Sequence, residues 1–167
     1  WKGLVGSEMC IRDRIISRDT IDALSASTVA DITANLSINS GSENNVDSFT
    51  SGATQGTGNV NLRGLGLTST LVLLDGKRHT LAGIAANDGS VFVNTNIIPV
   101  NAIERVEVLK EGAASVYGSD AVAGVVNYIF RRDFEGIEVD VSTQETDLGG
   151  QTAVSYTHLT LPTMDSV

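Results

Sequence analysis

Many serines and aspartates in this sequence are of a type that could do chemistry, but the scarcity of histidine and their spacing argue against it. Acyl transfer needs a nucleophile, a base and an orienting acid within mutual reach. The chain has two histidines, and His79 follows Lys77 and Arg78 at a strand end, the place of a solvated residue. Ser115 and Ser119 stand in no nucleophile-elbow pattern. Glu104, Glu107 and Glu111 could suggest a metal, but they alternate with Arg105 and Lys110, so local charge compensation is the simpler account. One cysteine, Cys10, makes neither an internal disulfide nor a multi-cysteine metal site. Arg63-Gly64-Leu65-Gly66 contains a Gly-x-Gly, yet a dinucleotide fingerprint needs a third glycine opening a helix, and an apolar strand follows instead. A formal net charge of −9 leaves no basic field for a phosphate backbone. The expectation is a protein that is not an enzyme, holds no cofactor or metal and binds no nucleic acid.

The elements that would position any site are short. At 167 residues with a hydrophobic fraction of 41%, the chain can bury one real core. Ile15 begins a strand or extended lead-in, followed by a helical turn at 20–24. Thr28 and Asp31 have capping-box spacing, and Val29, Ile32 and Leu36 then form one apolar stripe of a helix running to about Leu36. Residues 39–58 are nearly all small, polar or acidic and read as a mobile loop. Val60 and Leu62 alternate with Asn61 and Arg63, which predicts a half-buried strand over 59–63. Leu71-Val72-Leu73-Leu74 reads as a central strand, and Asp75-Gly76 as the turn of a hairpin that returns through Lys77-Arg78-His79.

A second polar loop spans about 80–94. Asn87 and Asp88 are turn formers first, with contact to a ligand left open. Residues 97–102 lead into a strand over 105–110, with Val106 and Val108 on one face and Arg105 and Glu107 on the other. A further strand follows over 122–130, where Ala123-Gly124 permits close backbone approach. The fold class is α+β: a small mixed sheet of about four short strands, with two or three short helices and long loops. Ile137, Val139 and Val141 then alternate with Glu138, Asp140 and Ser142, a pattern shared by barrel strands and by any half-buried strand. No run approaches the roughly 18 apolar residues of a spanning helix.

Taken in order, several blocks resemble the plug domain of TonB-dependent outer-membrane receptors. They are residues 16–21, 28–31, Asn61 to Gly66, Thr70 to Arg78, Ile98-Pro99, Ala102 to Leu109, and Tyr117 to Asn127. The resemblance covers residues 15–133. It implies that 134–153 begin the first strand of a β-barrel of about 22 strands. It implies a place in the outer membrane of a Gram-negative bacterium, with the plug inside the barrel lumen. The expected partners are the chain's own C-terminal barrel, TonB through a segment before Ile15, and a nutrient of the siderophore, cobalamin, haem or carbohydrate class. By the same resemblance Arg63 and Lys110 are plug–barrel charge contacts. The loops 40–58 and 80–93 are then apical and ligand-facing, with Asn87 and Asp88 as candidate contacts.

Residues 5–14 and 154–163 resemble translated sequencing adapters, so 1–14 and 154–167 are expected to lie outside the fold. No signal peptide, convincing TonB-contacting segment or full barrel is recognisable, so the chain is expected to be a fragment of a transporter. The alternative is a free periplasmic α+β binding or signalling module.

Overall fold

The computed structural model describes residues 14–42, 54, 56–110 and 114–132, together with the backbone of 136–144 and 153–161. Its centre is a five-stranded mixed sheet of order β1-β4-β5-β2-β3. The strands are β1 (Arg14–Ser17), β2 (Thr70–Leu74), β3 (Lys77–Arg78), β4 (Ile103–Leu109) and β5 (Gly124–Phe130). β2 and β5 run parallel, and every other pairing is antiparallel. The sequence reading of about four strands becomes five because the lead-in at Ile15 pairs fully with β4.

Alternation along each strand sends side chains to two faces, and both are covered. On one face Val72, Val106, Val108, Val126 and Tyr128 meet Ile21, Val29 and Ile32 from the helices α1 (Arg18–Ala23) and α2 (Val29–Ala34), and Leu36 just beyond α2. α2 begins with the expected capping box: the Asp31 amide donates to Thr28 Oγ1, and the Thr28 amide donates to Asp31 Oδ2. On the other face Leu71, Leu73, Leu109 and Val125 pack beneath Ala121 and Tyr117. These two come from the short helix α3 (Ala114–Tyr117) and the 3-10 turn Ser119–Ala121.

A β-bulge resets the phase of β4. Ile103 opposes Phe130 while Arg105 opposes Ile129, so the register shifts between them. That shift lets Ile103 point into the same core as Val106 and Val108, although it is an odd number of residues away from both.

One expectation needs correction. The 59–63 segment is not a strand, since its one ladder contact is an isolated bridge between Asn39 and Leu62. Residues 57–62 are buried throughout, and side chains rather than a neighbouring strand satisfy much of their backbone. The Asn61 amide donates to Asn39 Oδ1, the Leu62 amide to Thr70 Oγ1 and the Gly58 amide to Asn94 Oδ1. Period-two alternation cannot distinguish such a segment from a strand, because the deciding partners lie elsewhere in sequence. The lead-in over 97–102 enters β4 through two 3-10 turns, Thr95–Ile97 and Val100–Ala102.

Two further strands, β6 (Gly136–Gln144) and β7 (Ala153–Leu161), form a separate antiparallel pair. β6 falls where a first barrel strand is expected, and β7 runs through the adapter-like segment. The expectations for residues 1–13 and for most of the 40–58 loop lie outside the described residues. Among the described residues no helix is long and apolar enough to cross a membrane.

Candidate functional site

Arg63, Lys110 and the start of the 80–94 loop lie at one end of the sheet. Thr70 of β2 is level with Gly124 of β5, and Leu109 of β4 pairs with Val125 beside it. Lys110 follows directly. β3 runs back along β2 towards this end, where the His79 amide donates to the Val72 carbonyl at 3.5 Å. The 80–94 loop therefore leaves the sheet at the end opposite Phe130.

Arg63 and Lys110, 47 positions apart, are brought together here. The Arg63 guanidinium donates from Nη2 to the Lys110 carbonyl. Arg63 itself has φ of 60°, a left-handed conformation that costs a side-chain-bearing residue about 1–2 kcal/mol. The tight turn at 62–65 requires it, closed by the Leu65 amide donating to the Leu62 carbonyl. Gly124 is the other constrained backbone position at this end. Its φ is 141°, and a Cβ there would lie 2.6 Å from the Leu109 carbonyl oxygen and 2.8 Å from Leu62 Cδ1. Only a glycine lets β5 start this close to the end of β4 and to the turn that carries Arg63.

The 80–94 loop forms no helix or strand, but it is anchored. Phe92 and Ala86 are buried against Leu67, with Ala82 alongside, and the Ala82 amide donates to the Phe92 carbonyl at 2.7 Å. Asn87 and Asp88 sit exposed in the turn at its tip. Asp88 accepts from both the amide and the hydroxyl of Ser90, and the hydroxyl bond first, then the amide bond, holds its carboxyl below the ordinary 3.8. Neither tip residue lines the clefts beside the loop. Those are flanked by His79, Leu81, Ile84, Val91 and Ile97.

Arg78 straps the hairpin to the second face of the sheet. Its Nη1 lies 2.5 Å from Asp120 Oδ2, and its Nη2 donates to the Tyr117 carbonyl at 2.6 Å. This hydrogen bond, reinforced by the Arg78 charge, keeps the Asp120 carboxyl below its ordinary 3.8. His79 turns its Nδ1 to the Thr80 carbonyl instead, at 2.9 Å. Asp120 is thus engaged by Arg78, and His79 by the turn at Thr80.

A polar group that the sequence pattern understated is Glu107. Placed with Arg105 on the face opposite Val106, its side chain is only 6% exposed. It accepts from Arg105 Nε at 2.9 Å and from Asn127 Nδ2 at 3.2 Å, while Asn127 Oδ1 accepts from the Gly76 amide. Partial burial pulls the Arg105 guanidinium down, but the bonds and charges of Glu107 and Glu104 outweigh it and set its pKa above the ordinary value. Burial, helped by the charge of Glu107, also pushes the Tyr117 phenol up. Asn127 lies within an otherwise apolar strand, the one signal that could have flagged a buried polar partner. Glu111 lies outside the described residues. Among those residues no group of three His, Cys, Asp or Glu side chains could hold a metal ion.

A five-stranded mixed sheet covered on both faces by short helices and turns defines a small α+β domain. The chain belongs to the TonB-dependent receptor plug domain family, whose model matches residues 11–125. It is 34% identical over 116 residues to the iron-regulated outer membrane virulence protein of Vibrio cholerae, a match covering 66% of this chain and 18% of that protein. Among solved structures it resembles the siderophore receptor PirA of Acinetobacter baumannii, with a TM-score of 0.58 and 25% identity over 89% of this chain and 22% of that one. A mutant of the ferric enterobactin receptor PfeA of Pseudomonas aeruginosa, solved with enterobactin, gives a TM-score of 0.52 at 25% identity, covering 78% and 19%. The unliganded ferric citrate transporter FecA shares the fold, with a TM-score of 0.65 at 22% identity, covering 88% and 22%. The chain thus spans about a fifth of the length of the relatives it matches. These relatives are outer-membrane receptors, and the family's plug lies inside a barrel in the outer membrane of Gram-negative bacteria.

Proposed function

We propose that this chain is the plug of an outer-membrane importer that gates TonB-dependent uptake of a ferric chelate through the barrel that follows it, and that it has no catalytic role of its own. The plug-family match over 11–125, laid on a single covered sheet, carries the reading. Three features support the finer assignment. The relatives' names concern iron regulation, siderophores and ferric enterobactin. The 80–94 loop leaves the sheet opposite Phe130, beyond which the chain runs towards β6, so it would point away from the start of the barrel. Arg63 and Lys110 share that sheet end, as contacts to a surrounding wall require.

In this reading Asn87 and Asp88 belong to the apical, ligand-facing loop, and Arg63 and Lys110 meet acidic groups of the barrel. Residues 134–153 begin that barrel, with 1–14 and 154–167 foreign to it. The test is iron uptake by the full-length receptor in cells stripped of their other chelate receptors. Accumulation of ferric chelate that disappears when TonB is deleted supports the proposal. Accumulation indifferent to TonB, or none with any iron chelate, favours the free periplasmic module.

A further inference from the structure

The sequence contains two Asp-Gly dipeptides, Asp75-Gly76 and Asp88-Gly89. Both sit in turns where the glycine has a positive φ, 77° and 82°. An aspartate followed by glycine is prone to rearrange, because no side chain on the next residue hinders its amide nitrogen from reaching the carboxyl carbon. The fold holds the two sites very differently.

At Asp75 both reacting groups are gripped by β5. The Gly76 amide donates to Asn127 Oδ1 at 2.9 Å, and Asn127 is 1% exposed and tied in turn to Glu107. Asp75 Oδ1 accepts from the Phe130 amide at 3.1 Å, and the Asp75 amide donates to the Tyr128 carbonyl at 2.9 Å. Attack would pull the carboxyl off β5 and leave the buried Asn127 oxygen without its donor, a costly loss. At Asp88 every bond stays within the loop tip. The carboxyl accepts from the amide and hydroxyl of Ser90, two residues on, which folds it back across the Gly89 peptide. The Gly89 amide donates to the Ala86 carbonyl at 2.9 Å. Residues 87–89 are exposed, so water takes over that bond when it opens.

We propose that Asp88-Gly89 is a covalent modification site, where Asp88 isomerises to isoaspartate, and that the fold protects Asp75-Gly76 from the same reaction. The Gly89 nitrogen attacks Asp88 Cγ and forms an N–Cγ bond. The nitrogen's proton, one carboxyl oxygen and a proton from solvent leave as water, closing a succinimide ring. Water then adds to the Asp88 main-chain carbonyl and breaks its bond to Gly89. The chain now runs through Cγ, one methylene longer, with the former main-chain carbonyl as a carboxylate. Nothing is oxidised or reduced. The added atom falls inside the turn that the Ala86 amide closes on the Ser90 carbonyl at 2.9 Å, so the tip loosens while the buried Phe92 anchor is left in place.

The experiment ages purified full-length receptor at neutral pH, folded and in denaturant, and measures isoaspartate by mass spectrometry in the peptides that span 75 and 88. The expected result is isoaspartate accumulating at 88 and not at 75 in the folded receptor, and at both in denaturant. Asp88→Glu should abolish the signal at 88, because glutamate would have to close a larger ring. Asn127→Ala, with folding checked by circular dichroism, should admit isomerisation at 75 and leave the rate at 88 unchanged. If that variant does not fold, the comparison within the unsubstituted receptor decides. Isomerisation at 75 as fast as at 88 in the folded receptor overturns the inference. So does a folded receptor that shows none at 88 while the denatured one shows both.

Discussion

The Arg63 guanidinium donates to the Lys110 carbonyl across 47 positions of sequence, tying the 62–65 turn to the end of β4. The two cations that the family resemblance singles out are thus neighbours in the fold. Arg63 bonds through its side chain and Lys110 through its backbone carbonyl.

Removing the Arg63 side chain should expose the cost of its backbone. Arg63→Ala loses the bond to Lys110, worth about 1 kcal/mol, and keeps the strain of φ 60°. Arg63→Gly loses the same bond but relieves the strain. The glycine variant should therefore be more stable than the alanine variant by about 1 kcal/mol in denaturant unfolding. In the full-length receptor Arg63→Glu should weaken plug protection against hydrogen exchange. Equal stabilities for the first pair, or unchanged protection in the second, would remove Arg63 from this role.

Gly124→Ala should be among the most damaging single substitutions in the domain. The added methyl would lie 2.6 Å from the Leu109 carbonyl oxygen at a backbone φ of 141°. Strain and overpacking together should cost at least about 2 kcal/mol. A change in unfolding free energy below about 0.5 kcal/mol would mean that β4 and β5 are not this close.

Tyr128 points the other way. The residue is fully buried, burial pushes its phenol far up, and among the described residues its hydroxyl has no hydrogen-bond partner. Tyr128→Phe keeps the ring and removes the orphaned group, so stability should hold or rise by about 1 kcal/mol. A loss of that size would reveal a partner for the hydroxyl, such as a buried water.

The pH dependence has a definite sign. The Asp120 carboxyl lies below its unfolded value of 3.8 because Arg78 binds the charged form. Its contribution is fully present above 3.8 and is lost as pH falls through the folded-state value beneath it. Unfolding midpoints of the parent and of Asp120→Asn, followed from about pH 6 to about pH 2, should differ at the upper end and converge at the lower. Parallel curves would mean that the strap contributes nothing.

Local chemistry made some of this fold legible in sequence. The Thr28–Asp31 capping box, the Asp75-Gly76 turn, the Val106/Val108 face and the close approach at Gly124 each follow from a few adjacent residues. What escaped depends on distant partners. The 59–63 segment alternates like a strand but is held by Asn39, Thr70 and Asn94. Glu107 alternates like a solvated residue, yet it is buried and bonded by Asn127 from elsewhere in the chain. The bulge at Glu104 changes which face Ile103 occupies, and no period computed along β4 alone contains that shift. Of the candidate site, the pairing of Arg63 with Lys110 depended on the path of the sheet. The cation-free character of the 80–94 loop, in contrast, is written in its composition.

The central claim is that this domain closes a barrel and opens it under the control of TonB. The most direct measurement deletes residues 15–133 from the full-length receptor, confirms barrel insertion, and follows both energised chelate uptake and passive entry of a large hydrophilic solute. The expected result is loss of TonB-dependent uptake together with a new TonB-independent leak. Uptake that persists with its TonB dependence intact, or a barrel that admits no more solute than before, would contradict the claim.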